Sequence, residues 1–221
     1  MTDLDPAEIT KEVDLWDIYV QSRKLPEGRL SKRVAKPFSW AILVILSIYA
    51  ALSNKPVNEL ANEVRSLADL GFNFSISILG FLVAGFTIFA TVTKPNLFIK
   101  LAKVKHTKSG LSYLKYTFFV FMYVFIAYLS FTLFCLLIKL LASPSGVIST
   151  ALICLSNYPE HIDLSKRILA GVGIATLGTW AFHLIILLQS FIFNIYITVM
   201  TSIRWEIQNN NSENGSENGE S

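Results

Sequence analysis

The chain has 221 residues, 52% hydrophobic and 16% charged, with a net charge of +3. An ordinary soluble domain carries roughly 25% charged residues and interleaves its apolar positions with polar ones at helical or strand spacing. Here the apolar residues come in long unbroken runs, which excludes a water-soluble globule and points to an all-α integral membrane protein.

Residues 1–37 are charged and hold no apolar core of the kind a cleavable signal peptide needs, so the first span is expected to direct insertion. Within them, residues 5–24 read as a cytoplasmic amphipathic helix. Asp5 suits the N-cap, Pro6 the first helical position, and Glu8 a capping box. Ile9, Val13, Trp16 and Val20 share one face, broadened by Leu15 and Tyr19, while Asp14 and Asp17 fall on the other side. That face suits a membrane surface or a soluble partner protein. The acidic character of its first part argues against docking on anionic lipid. The basic run that follows, from Arg23 to Lys36, is most simply a topology signal.

Crossing a hydrocarbon layer of about 30 Å takes roughly 20 helical residues. Four stretches qualify: residues 38–53 (short, needing local thinning), 71–93, 116–142 and 168–200. The last is too long for one upright crossing and is expected to tilt or to continue beyond the membrane as helix. Together they form a four-helix membrane bundle over residues 38–200. Between spans one and two, Val57, Leu60, Val64 and Leu67 recur at coiled-coil spacing, suited to cap the bundle or to pair with a second copy. Ser143-Pro144-Ser145-Gly146 reads as a turn, and the apolar residues 147–155 that follow are too short to cross, so they are re-entrant or interfacial. Residues 201–221 end in Asn, Ser, Glu and Gly, a composition expected to be disordered.

Lysine and arginine set the orientation. Seven precede residue 38 and six lie between spans two and three. The other two loops hold two each, Lys55 with Arg65 and Lys166 with Arg167. This thirteen-to-four sorting places both termini and the middle loop in the cytoplasm of a bacterial cell, with the chain in the inner membrane.

Inside the spans polar groups are few. Lys139 is the one charge; it either snorkels to the nearby interface or lines a pore. Gly80 with Ala84, and Gly71 with Ser75, are pairs of small residues that let helices approach closely. On span four, Gly171, Ala175, Thr179 and His183 lie four apart, and Ser190, Asn194 and Thr198 continue the line. Such a stripe belongs against other helices or a water-filled path. His183 either titrates near neutral pH and gates something or hydrogen-bonds across helices. Cys135 and Cys154 are buried small hydrophobes or a disulfide; neither has metal-site neighbours. No intramembrane carboxylate, inverted repeat, HExxH, GxSxG or Walker loop is present, which weighs against a coupled transporter and an enzyme, and no cofactor is expected.

The stretch Ser77-Ile-Leu-Gly80-Phe-Leu-Val-Ala84-Gly85-Phe-Thr-Ile-Phe-Ala90, followed by Thr93-Lys94-Pro95, resembles a span of small multi-spanning bacterial proteins. Among these are transmembrane effectors of retron systems and the membrane component of Kiwa-type anti-phage systems. The resemblance implies a membrane effector held silent by a partner and released on infection. It assigns no functional residue. Three functions follow as expectations. The first is a defence effector that oligomerises and breaches the membrane, controlled by a soluble protein or ribonucleoprotein without itself binding nucleic acid. The second is a non-conducting anchor that recruits such a partner through the Trp16 face. The third is a channel or small-solute transporter.

Overall fold

The computed structural model describes residues 14–24, 36–92, 95–104, 110–143, 146 and 159–217. Among these there is no strand. Six helices follow one another: α1 (Leu15–Lys24), α2 (Lys36–Leu52), α3 (Val57–Val92), α4 (Pro95–Lys103), α5 (Tyr113–Leu141) and α6 (Pro159–Glu217). Prolines punctuate them. Pro56 accepts the first backbone bonds of α3, from the amides of Glu59 and Leu60. Pro95 and Pro159 open α4 and α6, where a missing N–H costs nothing. Ser112 caps α5, its hydroxyl accepting from the Lys115 amide at 3.2 Å. Just before it, Gly110 takes a φ of +71°, a conformation that a Cβ disfavours.

Among the described residues, three segments are long and apolar enough to cross a membrane: Val57–Ile88, Tyr113–Leu141 and Leu164–Thr201. The apolar part of α2, Pro37–Ala50, is shorter. At 14 residues it spans about 21 Å.

Two boundaries differ from the sequence reading. The loop seam and span two are one helix of 36 residues, uninterrupted at Gly71. The reason is a continuous buried seam: Leu60, Val64, Ala68, Gly71, Ser75 and Leu82 follow at three, four or seven residues. Breaking the helix at Gly71 would split that seam. At the other end, α6 carries on to Glu217, so residues 201–217 are helical where a disordered tail was expected. Composition says only that this stretch has no core of its own. A helix already nucleated extends with one hydrogen bond per residue fixed. Residues 218–221 lie outside the described set.

The chain divides into two compact units. Residues 27–88 and 124–187 form the larger one, which brings α2, most of α3, the second half of α5 and the first part of α6 together. α2 runs antiparallel to α6: Phe38 meets Phe182, with ring centroids 5.4 Å apart, and Ala50 faces Gly171. α5 is apolar nearly all round, but its most deeply buried positions in this unit, Val124, Tyr128, Phe131 and Cys135, recur at a heptad-like spacing. Phe131 and Phe134 both pack on Trp180, at 5.5 and 5.3 Å. The Tyr128 hydroxyl donates to the Leu184 carbonyl at 3.0 Å, which satisfies the one polar atom of a fully buried ring.

The smaller unit comprises residues 1–26, 89–123 and 188–221. In it the Tyr19 ring of α1 stacks on Tyr123 of α5, 6.2 Å apart and 15° from parallel. Phe121 packs on Phe191 at 5.5 Å, and Phe98 of α4 on Phe118 at 6.3 Å.

Candidate functional site

Gly171, Ala175, Thr179 and His183 of the expected stripe fall in the larger unit, and Ser190, Asn194 and Thr198 in the smaller. In the larger unit the small residues of α6 receive other helices. A Cβ on Gly171 would lie 3.2 Å from the Ala50 Cβ, and one on Gly173 would lie 3.2 Å from a Val64 methyl. At Gly178 a Cβ would overlap Cδ1 of Leu46. Ala175 is buried and His183 half-buried. The sequence reading missed Gly173 and Gly178, which lie off the four-residue line. The spacing from Gly171 to Gly178 is about two helical turns, but nothing in the sequence singled out Gly173 or said which helix either would meet.

Hydroxyls in these helices mostly bond to the carbonyl one turn back, as Ser75 does to Gly71 (2.7 Å), Thr132 to Tyr128 (2.8 Å) and Thr198 to Asn194 (2.8 Å). Ser39 Oγ on α2 and Thr179 Oγ1 on α6 do not: both are buried without a hydrogen-bond partner. Thr179 is the residue after Gly178, which Leu46 of α2 meets. Leaving a buried hydroxyl unsatisfied costs about 1–3 kcal/mol.

The Gly71/Ser75 pair packs inside the larger unit, beneath Phe131 and Cys135. The Gly80/Ala84 pair does not: nothing lies within 4 Å of a Cβ placed on Gly80. It lines an open apolar groove of about 510 Å³ with Ile76, Leu79, Val83 and Phe125. Cys135 is a free, buried thiol, while Cys154 and residues 147–155 lie outside the described residues. The turn after α5 closes as expected, the Gly146 amide donating to the Ser143 carbonyl at 2.8 Å.

One end of the larger unit carries a collar of charges. Lys139 does not stand alone: its ammonium is 2.5 Å from an Asp69 carboxylate oxygen and 5.0 Å from the centre of the Phe72 ring. Asp69 lies in the stretch read as loop, so the helix that carries span two does include carboxylates, at Glu59, Glu63 and Asp69. Arg65 donates to the Ala142 carbonyl and Arg167 to the Ser53 carbonyl, just past the ends of α5 and α2. Both arginines therefore cap helix C-termini, where orphan carbonyls and the helix dipole favour a cation. Lys55 is paired with Glu63 and donates to the Tyr49 hydroxyl at 3.1 Å. The Glu63 carboxylate, and after it the Tyr49 hydroxyl, raise the Lys55 pKa above the ordinary lysine value. With its folded pKa raised, this contact is fully present at neutral pH and lost only above the lysine range. Three of the four cations in the two sparse loops thus have structural partners. Arg65→Ala is expected to lower stability by about 1 kcal/mol, a charged hydrogen bond discounted for partial exposure. Denaturant unfolding in neutral detergent measures it, with Arg65→Lys recovering part of the loss.

In α1, Trp16 is 69% and Val20 36% exposed. Ile9 and Val13, with Asp5, Pro6 and Glu8, lie outside the described residues. Among the described residues, no three His, Cys, Asp or Glu side chains gather as a metal site would require.

Three long apolar helices, internal ring packing and helix caps at one end define a multi-span helical membrane protein. Comparison with protein-family models, with curated proteins and with solved structures finds no match.

Proposed function

We propose that the chain is a four-pass bacterial inner-membrane effector with both termini in the cytoplasm. At rest its bundle is shut; when a soluble protein or ribonucleoprotein partner releases it, it breaches the membrane. The role in anti-phage defence comes from the resemblance of residues 77–95. Four crossings are supported by α2 lying along α6 from Phe182 to Gly171, so that the short helix shares the depth of a long one. The orientation is supported by the lysine and arginine sorting, the more so because three cations on the sparse side serve as caps or clamps. No catalysis is needed: the membrane potential stores about 2.3 kcal/mol per charge per 100 mV, and any open path releases it.

The observation that carries the reading is the α2–α6 seam. Small residues let α2 close over a helix whose Thr179 hydroxyl is buried and unpaired. The closed state holds at a cost that water in an open path would relieve. Thr179→Val keeps the shape and removes the hydroxyl. It is expected to stabilise the protein by about 1 kcal/mol and to reduce leakage. A voltage-sensitive dye in induced cells reads the leakage, and unfolding in detergent reads the stability. Loss of potential with growth arrest, weakened by Thr179→Val, supports the proposal; polarised, growing cells under strong induction with the partner removed overturn it. Copies would assemble through the open Gly80/Ala84 groove.

A second reading, the non-conducting anchor, is favoured by the exposed Trp16 and Val20 on α1. It requires one stoichiometric soluble partner, lost on Trp16→Glu, and an intact potential throughout.

A further inference from the structure

We infer that α1 is an interfacial helix, and that the occupant of its exposed apolar face is the lipid of the bilayer at the boundary between hydrocarbon and headgroups. This rests only on the chain being a membrane protein, and it competes with the anchor reading, which gives the Trp16 face to a soluble partner. It departs from the expectation that a soluble partner covers the Trp16 face.

The first support is depth. Tyr19 stacks on Tyr123, the eleventh residue of α5. At 1.5 Å per residue, α5 is about 44 Å long and Tyr123 lies about 15 Å from its start. A 30 Å hydrocarbon layer centred on such a helix would leave about 7 Å protruding at each end, so the Tyr123 Cα sits roughly 8 Å inside. Helical side chains lean toward the N-terminus, here the nearer membrane surface. The stacked rings therefore lie near the boundary, and α1 with them.

The second support is the distribution of side chains around α1. At 100° per residue, Trp16, Tyr19 and Val20 fall within about 100° of one another, while Asp14, Asp17 and Gln21 cluster roughly 130° away. Tyr19 is committed to α5, and Trp16 lies 5.4 Å from it. Trp16 and Val20 remain exposed, as do Asp14 and Asp17 on the opposite side. One face thus meets a membrane helix, the next is apolar and open, and the last is acidic and open. A helix lying in the interface has this distribution, and tryptophan and tyrosine are the residues enriched there. The carboxylates face water, so the surface does not select anionic lipid.

The test is the depth of Trp16 in the full-length chain reconstituted in phosphatidylcholine vesicles. A single-tryptophan protein, with Trp40, Trp180 and Trp205 replaced by Phe, reports Trp16 directly. Because Trp180 packs on Phe131 and Phe134, a second measurement takes the difference between the wild-type chain and Trp16→Phe. Blue-shifted Trp16 emission is expected, quenched more by a nitroxide near the head of the acyl chain than by one near its end, and unchanged by added phosphatidylglycerol. Water-like emission, quenched by iodide and indifferent to both nitroxides, overturns the inference and returns the face to a soluble partner. That result leaves the membrane-potential experiment, and the effector reading, untouched.

Discussion

Phe131→Ala is expected to destabilise the protein by about 3 kcal/mol, read as a loss of folded fraction in denaturant titrations in detergent. In water such a change would owe much to the transfer of the ring from solvent. In a membrane the separated helix still buries its ring among acyl chains, so little of that term survives. What remains is the cavity. Removing a phenyl ring leaves a void on the order of 100 Å³, worth about 2.4 kcal/mol at the measured cost per volume. The lost ring contact with Trp180, at 5.5 Å, adds about 0.5–1.5 kcal/mol. Gly71 supplies a second variant. A Cβ there would lie 3.1 Å from two carbons of the Phe131 ring and 3.0 Å from the Cys135 sulfur, so Gly71→Ala alone should be unfavourable. In the Phe131→Ala background the same methyl occupies the void. The two changes together should therefore cost less than the sum of each alone. Simple additivity would show that Gly71 and Phe131 do not share this contact.

The same pair shows how far the sequence could be read. Hydropathy located the long apolar helices, because no soluble fold tolerates such runs. It could not say which side of α5 faces inward. Between Lys115 and Lys139 nearly every position is apolar, so the buried Phe131 and the exposed Leu133 look alike until a partner helix chooses between them. Gly71 was visible as a small residue and was assigned to the start of a span. It lies instead in mid-helix, because the seam from Leu60 to Leu82 passes through it without a change of period. The same error hid the partner of Lys139. With Asp69 placed in a loop, the lysine had only snorkelling or a pore to explain it. Their pairing depends on the register of α3 against α5, and no pattern within one helix reports that. Helix caps were illegible for a similar reason: Arg65 and Ala142 are 77 residues apart. The polar line on α6 was legible as a line. That glycines beside it would set the approach of α2 and α3 was not, since a glycine in a membrane helix is common and carries no direction.

Gly173→Leu is expected to separate α3 from α6 and to cost about 3 kcal/mol, the upper part of the usual range for overpacking. The size follows from what the new side chain would meet. A Cβ at 173 would sit 3.2 and 3.3 Å from the two methyls of Val64. Valine is β-branched and, in a helix, held to one dominant rotamer. Its methyls cannot rotate out of the way, so the backbones must part. Gly178 offers the contrast. There the contact is nominally closer, but its target is Cδ1 of Leu46, the far end of a flexible side chain that can turn aside. Gly178→Ala should therefore cost less than about 1 kcal/mol in spite of the shorter distance. Val64→Ala removes both methyls and should recover a large part of the Gly173→Leu loss, while leaving Gly178→Ala unaffected. Unfolding in neutral detergent measures each single variant and the two combinations. Should Gly173→Leu melt like the wild type, α3 and α6 do not meet at Val64, and the continuous seam of α3 would have to be drawn against another helix.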